Sequence, residues 1–234
     1  MFHFKHFSII QESAAQKVGT DAMILGSLCD FKKNGLLLDI GTGTGVLSLM
    51  LAQRFQPQKI TAIDLDELAL KDAQQNFQNT PFSTQIELIH SSLQNFKPEV
   101  LYDGIISNPP FFNGSTKSKT ASVNFARHTE SLSYTDLLKG IDRLLKTEGE
   151  AWVILPIQEE LRWKSEVERF NQLFINTWIV VYGKPLQAKR FICRLTRYQT
   201  EISTQTLTIR NENETYSEEY ISLTAEFHDR NLKI

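Results

Sequence analysis

The sequence predicts an α/β fold in which helices cover both faces of a doubly wound, mostly parallel seven-stranded sheet with an antiparallel hairpin at its edge. From residue 36 onward, short apolar runs alternate with longer helical segments, which is typical of parallel strands buried on both faces. Later, two β-type runs at 174–182 and 189–198 flank residues 183–185, Gly-Lys-Pro. This spacing indicates the hairpin.

The core elements follow one another in order along the chain. Apolar runs predict strands at 35–40, 59–63, 85–90, 102–107 and 151–155. A helix over 46–55 should end before Pro57, and a second helix, capped by Asp66, should end before Pro81. A third should begin at Ser133, where Asp136 takes the acidic position of a capping box, and end at Gly149.

Composition predicts one globular domain over residues 1–234. It divides into an N-terminal cap segment (1–35, helical from about Gln11), the α/β core (36–200) and a C-terminal extension (201–234). With 41% hydrophobic residues, a disordered, collagen-like or coiled-coil chain is excluded. A net charge of −2 excludes a globally basic protein, so any surface for nucleic acid must be local. Two cysteines and no long apolar run lead us to expect a cytoplasmic protein without a membrane span.

A glycine turn joins the first strand to its helix. Asp39 precedes glycines 41, 43 and 45, and Asp64 ends the next strand. Glycine lets the backbone approach a ligand closely, and a carboxylate such as Asp64 can accept hydrogen bonds from both hydroxyls of a ribose. The turn resembles motif I of class I methyltransferases, which have a Rossmann-like fold and use S-adenosylmethionine (SAM). The resemblance implies a cofactor site made of Asp39, Gly41, Gly43, Gly45, Asp64, Leu65, Ser92 and Leu93.

The tetrapeptide Asn108-Pro109-Pro110-Phe111 follows the strand at 102–107. Its prolines fix their φ angles and leave carbonyl acceptors free, while Asn108 adds a side-chain oxygen, and two converging acceptors suit a planar NH₂ group. Phe111 can stack a base, which contributes about 1–3 kcal/mol. The tetrapeptide resembles motif IV of amino-group methyltransferases, so these four residues are the predicted catalytic residues. Adenine N6, guanine N2 and a glutamine amide all present an NH₂ group, so the substrate stays open.

Four further segments narrow the resemblance. Residues 2–9, 17–26, 125–134 and the tail over 207–227 are similar to the bacterial tRNA(Val) adenine-N6 methyltransferases. This resemblance implies methylation of the exocyclic N6 of adenine-37, the adenosine 3′-adjacent to the anticodon. It also implies that Gly19 and Thr20 line the methionine end of the cofactor.

Two basic segments predict an RNA surface. Residues 184–198 contain five basic and no acidic residues, and 113–128 is likewise basic. On a strand, Arg190 and Arg194 would share one face while Phe191, Cys193 and Leu195 occupy the buried one. An anticodon loop offers splayed bases to such a surface. The predicted RNA-binding residues are Lys117, Lys119, Arg127, Lys189, Arg190 and Arg194.

Three alternatives stay open. The same fold and tetrapeptide could serve guanine N2 in ribosomal RNA or the glutamine of a release factor. Ser92 stands where the methyltransferase family usually has an adenine-contacting Asp, so a decayed RNA-binding module is a further alternative. We expect a monomer, and no metal, because His3 and His6 lack further ligands at a zinc-type spacing.

Overall fold

The computed structural model describes residues 1–13, 18–109, 132–229 and 232. A small antiparallel pair, β1 (Phe2–His3) and β2 (Ser8–Ile9), precedes the main sheet. The main-sheet strands are β3 (Leu36–Ile40), β4 (Lys59–Asp64), β5 (Ile86–His90), β6 (Tyr102–Ser107), β7 (Leu145–Pro156), β8 (Phe174–Tyr182), β9 (Ala188–Thr196) and β10 (Ser203–Thr208). The helices are α1 (Thr20–Leu28), α2 (Val46–Phe55), α3 (Glu67–Gln78), α4 (Tyr134–Leu144), α5 (Glu160–Phe170) and α6 (Glu218–Thr224).

The main sheet has the order β10-β8-β9-β7-β6-β3-β4-β5, and only β9 runs antiparallel to its neighbours. The doubly wound α/β prediction is therefore confirmed, but the expected seven strands are eight. Ser203–Thr208, from the C-terminal extension, pairs in parallel with β8, so the hairpin is not at the edge. This added strand satisfies the backbone groups that β8 would otherwise leave unpaired.

Capping residues in the sequence predicted the beginnings of two helices correctly. Asp66 caps α3 by accepting from the backbone N–H of Leu68 at 2.9 Å, and the Ser133 hydroxyl accepts from that of Asp136 at 3.1 Å. Two helix boundaries were wrong, and β7 begins at Leu145 instead of residue 151. Helix α1 begins at Thr20 instead of near residue 11, and α4 ends at Leu144 because the next residue already pairs with β6.

Both faces of the sheet are buried. Helices α1, α2, α3 and α6 cover one face with a core that includes Ile106 and Ile192. Helices α4 and α5 cover the other, where Ile105 and Phe191 lie. Within the described ranges, no helix is long and apolar enough to cross a membrane, and no cluster of three or more His, Cys, Asp or Glu could hold a metal ion.

The parallel strands all end on one side of the sheet, which we call the carboxyl edge. The strand-ending residues Ile40, Asp64, Ser107, Pro156 and Tyr182 lie along it. Open α/β sheets bind their ligands outside this edge. The predicted site residues that follow these strands are therefore brought together there.

Candidate active site

The glycine turn (residues 41–45) is clamped to the neighbouring strand. The N–H groups of Gly41 and Thr42 donate to the Ile63 carbonyl at 2.9 and 3.0 Å. That of Gly43 donates to Asp64 Oδ2 at 2.7 Å. These bonds fix the turn at the carboxyl edge.

The surroundings of the three glycines in this turn differ. All three adopt positive φ, but a Cβ added at Gly41 or Gly43 would meet no atom within 4 Å. At Gly45 it would lie 2.3 Å from Cε1 of Phe77. The first two glycines thus border open space that a ligand can fill, whereas Gly45 is required by packing between α2 and α3.

Asp39 is fully buried at the end of β3. Its Oδ2 accepts from the hydroxyls of Thr42 and Ser48, both at 2.7 Å, while Oδ1 is buried with no hydrogen-bond partner among the described residues. Burial raises the pKa of Asp39 to about 6, although the two hydroxyls oppose the rise. An unsatisfied buried acceptor of this kind fits a ligand that brings a cationic donor.

Asp64 uses both carboxylate oxygens without exhausting them. Oδ1 accepts from the N–H of Asp66 at 2.9 Å and Oδ2 from that of Gly43 at 2.7 Å. Burial raises the pKa of Asp64 against the effect of these bonds. Because a carboxylate has about four acceptor positions, Asp64 keeps capacity to accept from a ribose hydroxyl beside these backbone N–H groups. Leu65 follows, with 40% of its surface exposed.

The residues after β5 form a turn. The Ser92 hydroxyl accepts from the N–H of Asn95 at 3.2 Å, so it is partly committed to that turn. A Cβ added at Gly140 of α4 would lie 2.4 Å from Leu93 Cδ2. The buried side chain of Leu93 therefore packs in the core under α4, and only its main chain can serve a ligand.

Asn108 lies beside the glycine turn. Ser107 and Ile40 are paired residues at the ends of β6 and β3, and the Ser107 hydroxyl donates to the Ile40 carbonyl at 2.9 Å. Asn108 therefore follows its strand next to Gly41, half-buried, with Pro109 buried behind it. The predicted residues Pro110, Phe111, Lys117, Lys119 and Arg127 lie outside the described residues.

The start of α1 reaches the same edge. Gly19 is the N-cap residue and Thr20 the first, exposed residue of α1. Asp21 Oδ2 accepts from Arg190 Nε at 2.7 Å, and Arg190 pairs with Pro156 at the end of β7. Gly19 and Thr20 thus lie near the carboxyl edge, and their contact with the methionine end of a cofactor stays a prediction.

Sequence reasoning missed Asn76, which connects the N-terminal segment to the glycine turn. Its Oδ1 accepts from the Ile10 N–H at 2.7 Å, and its Nδ2 donates to the carbonyls of Ile10 and Thr44, both at 2.9 Å. Asn76 is fully buried, and one turn earlier Asp72 accepts from the Ser13 N–H at 2.8 Å. Two polar residues on the apolar face of α3 were the available signal.

On β9, Phe191, Cys193 and Leu195 face one core as predicted, and Arg190 and Arg194 share the opposite face with Ile192, but that face is not an open basic surface. Ile192, between the two arginines, is fully buried, and the guanidinium of Arg194 pairs with Glu150 at 3.3 Å. Arg194 is four residues from Arg190, about 13 Å along the strand, and therefore away from the carboxyl edge. Lys189 is exposed at that edge.

Comparison with known proteins gives a consistent result. A model of the family "Methyltransferase small domain" matches residues 14–181. A protein of Flavobacterium psychrophilum called tRNA1(Val) (adenine(37)-N6)-methyltransferase is 35% identical over 97% of this chain and 99% of its own length. One of the same name in Bacteroides fragilis is 35% identical over 97% of both chains. A solved structure of a predicted O-methyltransferase from Agrobacterium tumefaciens superposes with a TM-score of 0.71 at 15% identity, covering 88% of this chain and 96% of that one.

Proposed function

The chain belongs to the tRNA1(Val) (adenine(37)-N6)-methyltransferase family, and on that premise we propose that it methylates the exocyclic N6 of adenine-37 in valine tRNA. It is a methyltransferase with SAM as the methyl donor. The observation that carries the proposed chemistry is the pairing of Ser107 with Ile40. It brings the backbone of Asn108 next to Gly41, which supports a site where an amino group and a cofactor can meet.

SAM, when bound, supplies a methyl group activated by its sulfonium centre. We propose that the unsatisfied carboxylate oxygen of Asp39 serves the methionine end, near Gly19 and Thr20. Gly41 and Gly43 leave open space for the cofactor. Asp64 accepts from the ribose, and Leu65, Ser92 and the main chain of Leu93 surround the adenine.

Asn108 and the carbonyl of Pro109 act on the substrate. Their oxygens accept hydrogen bonds from the target amino group, turn its lone pair toward the methyl donor and stabilise the positive charge that grows on nitrogen. Positioning of this kind contributes roughly 7–11 kcal/mol in well-oriented reactions, so no strong base is needed. The nitrogen then loses its proton to water. In this proposal Phe111 stacks on the extruded base.

The substrate is reached as an unpaired loop. Enzymes that act on a base take it out of its stack, and anticodon-loop bases are already accessible. We propose that Lys189, exposed at the carboxyl edge, contacts phosphates together with Lys117, Lys119 and Arg127. Arg190 is paired with Asp21 at 2.7 Å, and Arg194 is far from this edge and paired with Glu150, so both arginines are left out. We further propose that the enzyme works in the cytoplasm as a monomer.

The test is nucleoside mass mapping of valine tRNA after incubation with the protein and SAM. We expect N6-methyladenosine at position 37, and a loss of transfer in Asn108→Ala with SAM binding retained in calorimetry. Asn79→Ala, an exposed position at the end of α3, is the matched control. If the protein methylated guanine in ribosomal RNA or a release factor instead, the proposed substrate would be wrong. Absence of SAM binding by the unmodified protein would favour the decayed module.

A further inference from the structure

The loop between β8 and β9 is a strained turn. The Gln187 N–H donates to the Lys184 carbonyl at 2.9 Å, which closes a four-residue turn with Pro185 in its second position. Leu186, in the third, has a φ of +64°. Because proline holds a negative φ, this combination is a type II turn, whose third position favours glycine.

Leu186 does not contribute to the core. Its side chain is 96% exposed, more than any other large hydrophobic side chain in the described part of the chain. A glycine would remove the strain at this position, and a polar residue would avoid exposing an apolar side chain. The packing of the described residues therefore gives no reason for leucine at this strained position, which leaves its side chain available for contact with another molecule.

The turn lies at the carboxyl edge. β8 and β9 meet in the pair Tyr182 and Ala188, and the turn continues beyond it. Between β9 and β6, which carries Asn108, lies only β7. Strand spacing puts the turn about 10–14 Å to the side of Asn108, a span of about three or four stacked bases at roughly 3.4 Å each.

The turn is held rigidly. The N–H of Gly183 donates to the Gln187 carbonyl at 3.0 Å, and its own carbonyl accepts from Arg210 at 3.2 Å. The Lys184 ammonium is bonded to the carboxylate of Glu214. The C-terminal extension thus braces the turn from one side, and the exposed Lys189 lies at its base.

We propose that Leu186 is an RNA-contacting residue that packs against an unpaired base of the substrate loop a few nucleotides from the methylated adenine. This rests on the proposed function. Apolar side chains are used by nucleic-acid-binding proteins as wedges against bases, and unpaired loop bases have free faces. Because the contact is remote from the reacting atoms, it strengthens substrate binding and leaves the methyl-transfer step unchanged.

The test compares Leu186→Gly and Leu186→Met with the unmodified protein in steady-state methylation of valine tRNA. For the glycine variant we expect KM for tRNA to rise about five- to tenfold, as for loss of a base contact, with kcat and SAM affinity unchanged. Its melting temperature should be equal or higher. Methionine should restore most of the tRNA affinity. Leu101→Ala is the matched control, since Leu101 is 46% exposed and precedes β6 at the opposite edge.

An unchanged KM in Leu186→Gly, or an equal rise in Leu101→Ala, overturns the inference. So does a change of oligomeric state in the glycine variant, because the turn would then contact a second copy of the chain. If the unmodified protein methylates no tRNA, the proposed function itself fails. If it does and the variants match it, only the role of Leu186 fails.

Discussion

The buried hydroxyl of Ser107 donates a hydrogen bond of 2.9 Å to the main-chain carbonyl of Ile40. It joins the last residues of β6 and β3. The next residue after each of them is a proposed site residue, because Asn108 follows Ser107 and Gly41 follows Ile40. One side chain therefore links the strand end that leads into Asn108 to the strand end that leads into the glycine turn.

Ser107→Ala should slow methyl transfer more than it weakens cofactor binding. Small displacements of reacting groups reduce rates strongly, and we expect kcat to fall about tenfold or more, while SAM affinity in calorimetry stays close to that of the unmodified protein. Ser203→Ala, exposed at the start of β10, is the control. A parallel fall in SAM affinity would show that the bond supports the whole site and not the position of Asn108.

Asp39 should make stability and cofactor binding depend on pH in opposite directions. Burial raises its pKa from 3.8 to about 6, so the folded chain holds this proton after the unfolded chain has lost it. The contribution of Asp39 to stability is then fully present below about pH 4 and is lost, by about 3 kcal/mol, as pH rises through 6. SAM brings a cationic donor, so its affinity should rise over the same interval.

Calorimetry and urea unfolding at several pH values measure both effects. Asp64, whose pKa burial also raises, titrates in the same direction, and Asp39→Asn separates the two contributions. The variant should lose the part of the pH dependence of unfolding that centres near pH 6, where Asp39 titrates. If it retains all of it, Asp39 is not the group responsible.

Lys189→Ala should reduce the salt dependence of tRNA binding. Each lost phosphate contact lowers the slope of log affinity against log salt by roughly 0.7–0.9, and Lys189 is exposed at the carboxyl edge. Arg194→Ala should leave the slope unchanged, because its guanidinium is paired with Glu150. Filter binding at several salt concentrations gives both slopes. Equal slopes for Lys189→Ala and the unmodified protein would remove Lys189 from the RNA surface.

Local sequence patterns predicted where helices and strands lie in the chain. The expected parallel topology predicted that the candidate residues lie at one edge of the sheet. Caps at Asp66 and Ser133 act within one helical turn, so they are legible in the sequence. Asp39, Asp64 and Asn108 each follow or end an apolar run, and parallel strands end at one edge. Their proximity could therefore be predicted without a structure.

Long-range contacts decided what the sequence did not reveal. Strand β10 forms against the open edge of β8, which is a property of the assembled sheet. Arg190 forms an ion pair with Asp21, 169 residues earlier in the chain. The sequence of the basic segment could not show this carboxylate, because only the fold brings it there. The end of α4 was set by pairing of Leu145 with β6 and not by Gly149.

Asn76→Ala should loosen the N-terminal segment and weaken cofactor binding together. The substitution removes the hydrogen-bond partners of two Ile10 backbone groups and of the Thr44 carbonyl. Because these buried groups would be left unsatisfied, we expect the free energy of unfolding to fall by about 2–4 kcal/mol. Chemical denaturation and SAM calorimetry measure the two effects. The neighbouring exposed Gln75→Ala should change neither. Unaltered SAM affinity in Asn76→Ala would show that the glycine turn does not need this connection.

Alanine at two glycines of the same turn should give opposite phenotypes. The methyl group of Gly43→Ala would meet no protein atom, so only the positive φ opposes the substitution, at a cost of about 1–2 kcal/mol. Because the methyl group would occupy the space proposed for the cofactor, SAM affinity should fall about tenfold or more. Gly45→Ala brings a Cβ to 2.3 Å from Phe77, so overpacking should destabilise the fold by about 3 kcal/mol.

Phe77→Ala supplies the control, since it removes the ring that Gly45→Ala would strike. The double variant should therefore be destabilised by less than the sum of the two single variants, with a coupling of about 1 kcal/mol or more. Urea unfolding measures stability and calorimetry measures SAM binding. Wild-type SAM affinity in a folded Gly43→Ala would mean that the cofactor does not occupy the space above this turn. The proposal that Asp39 and Asp64 bind the cofactor would then fail as well.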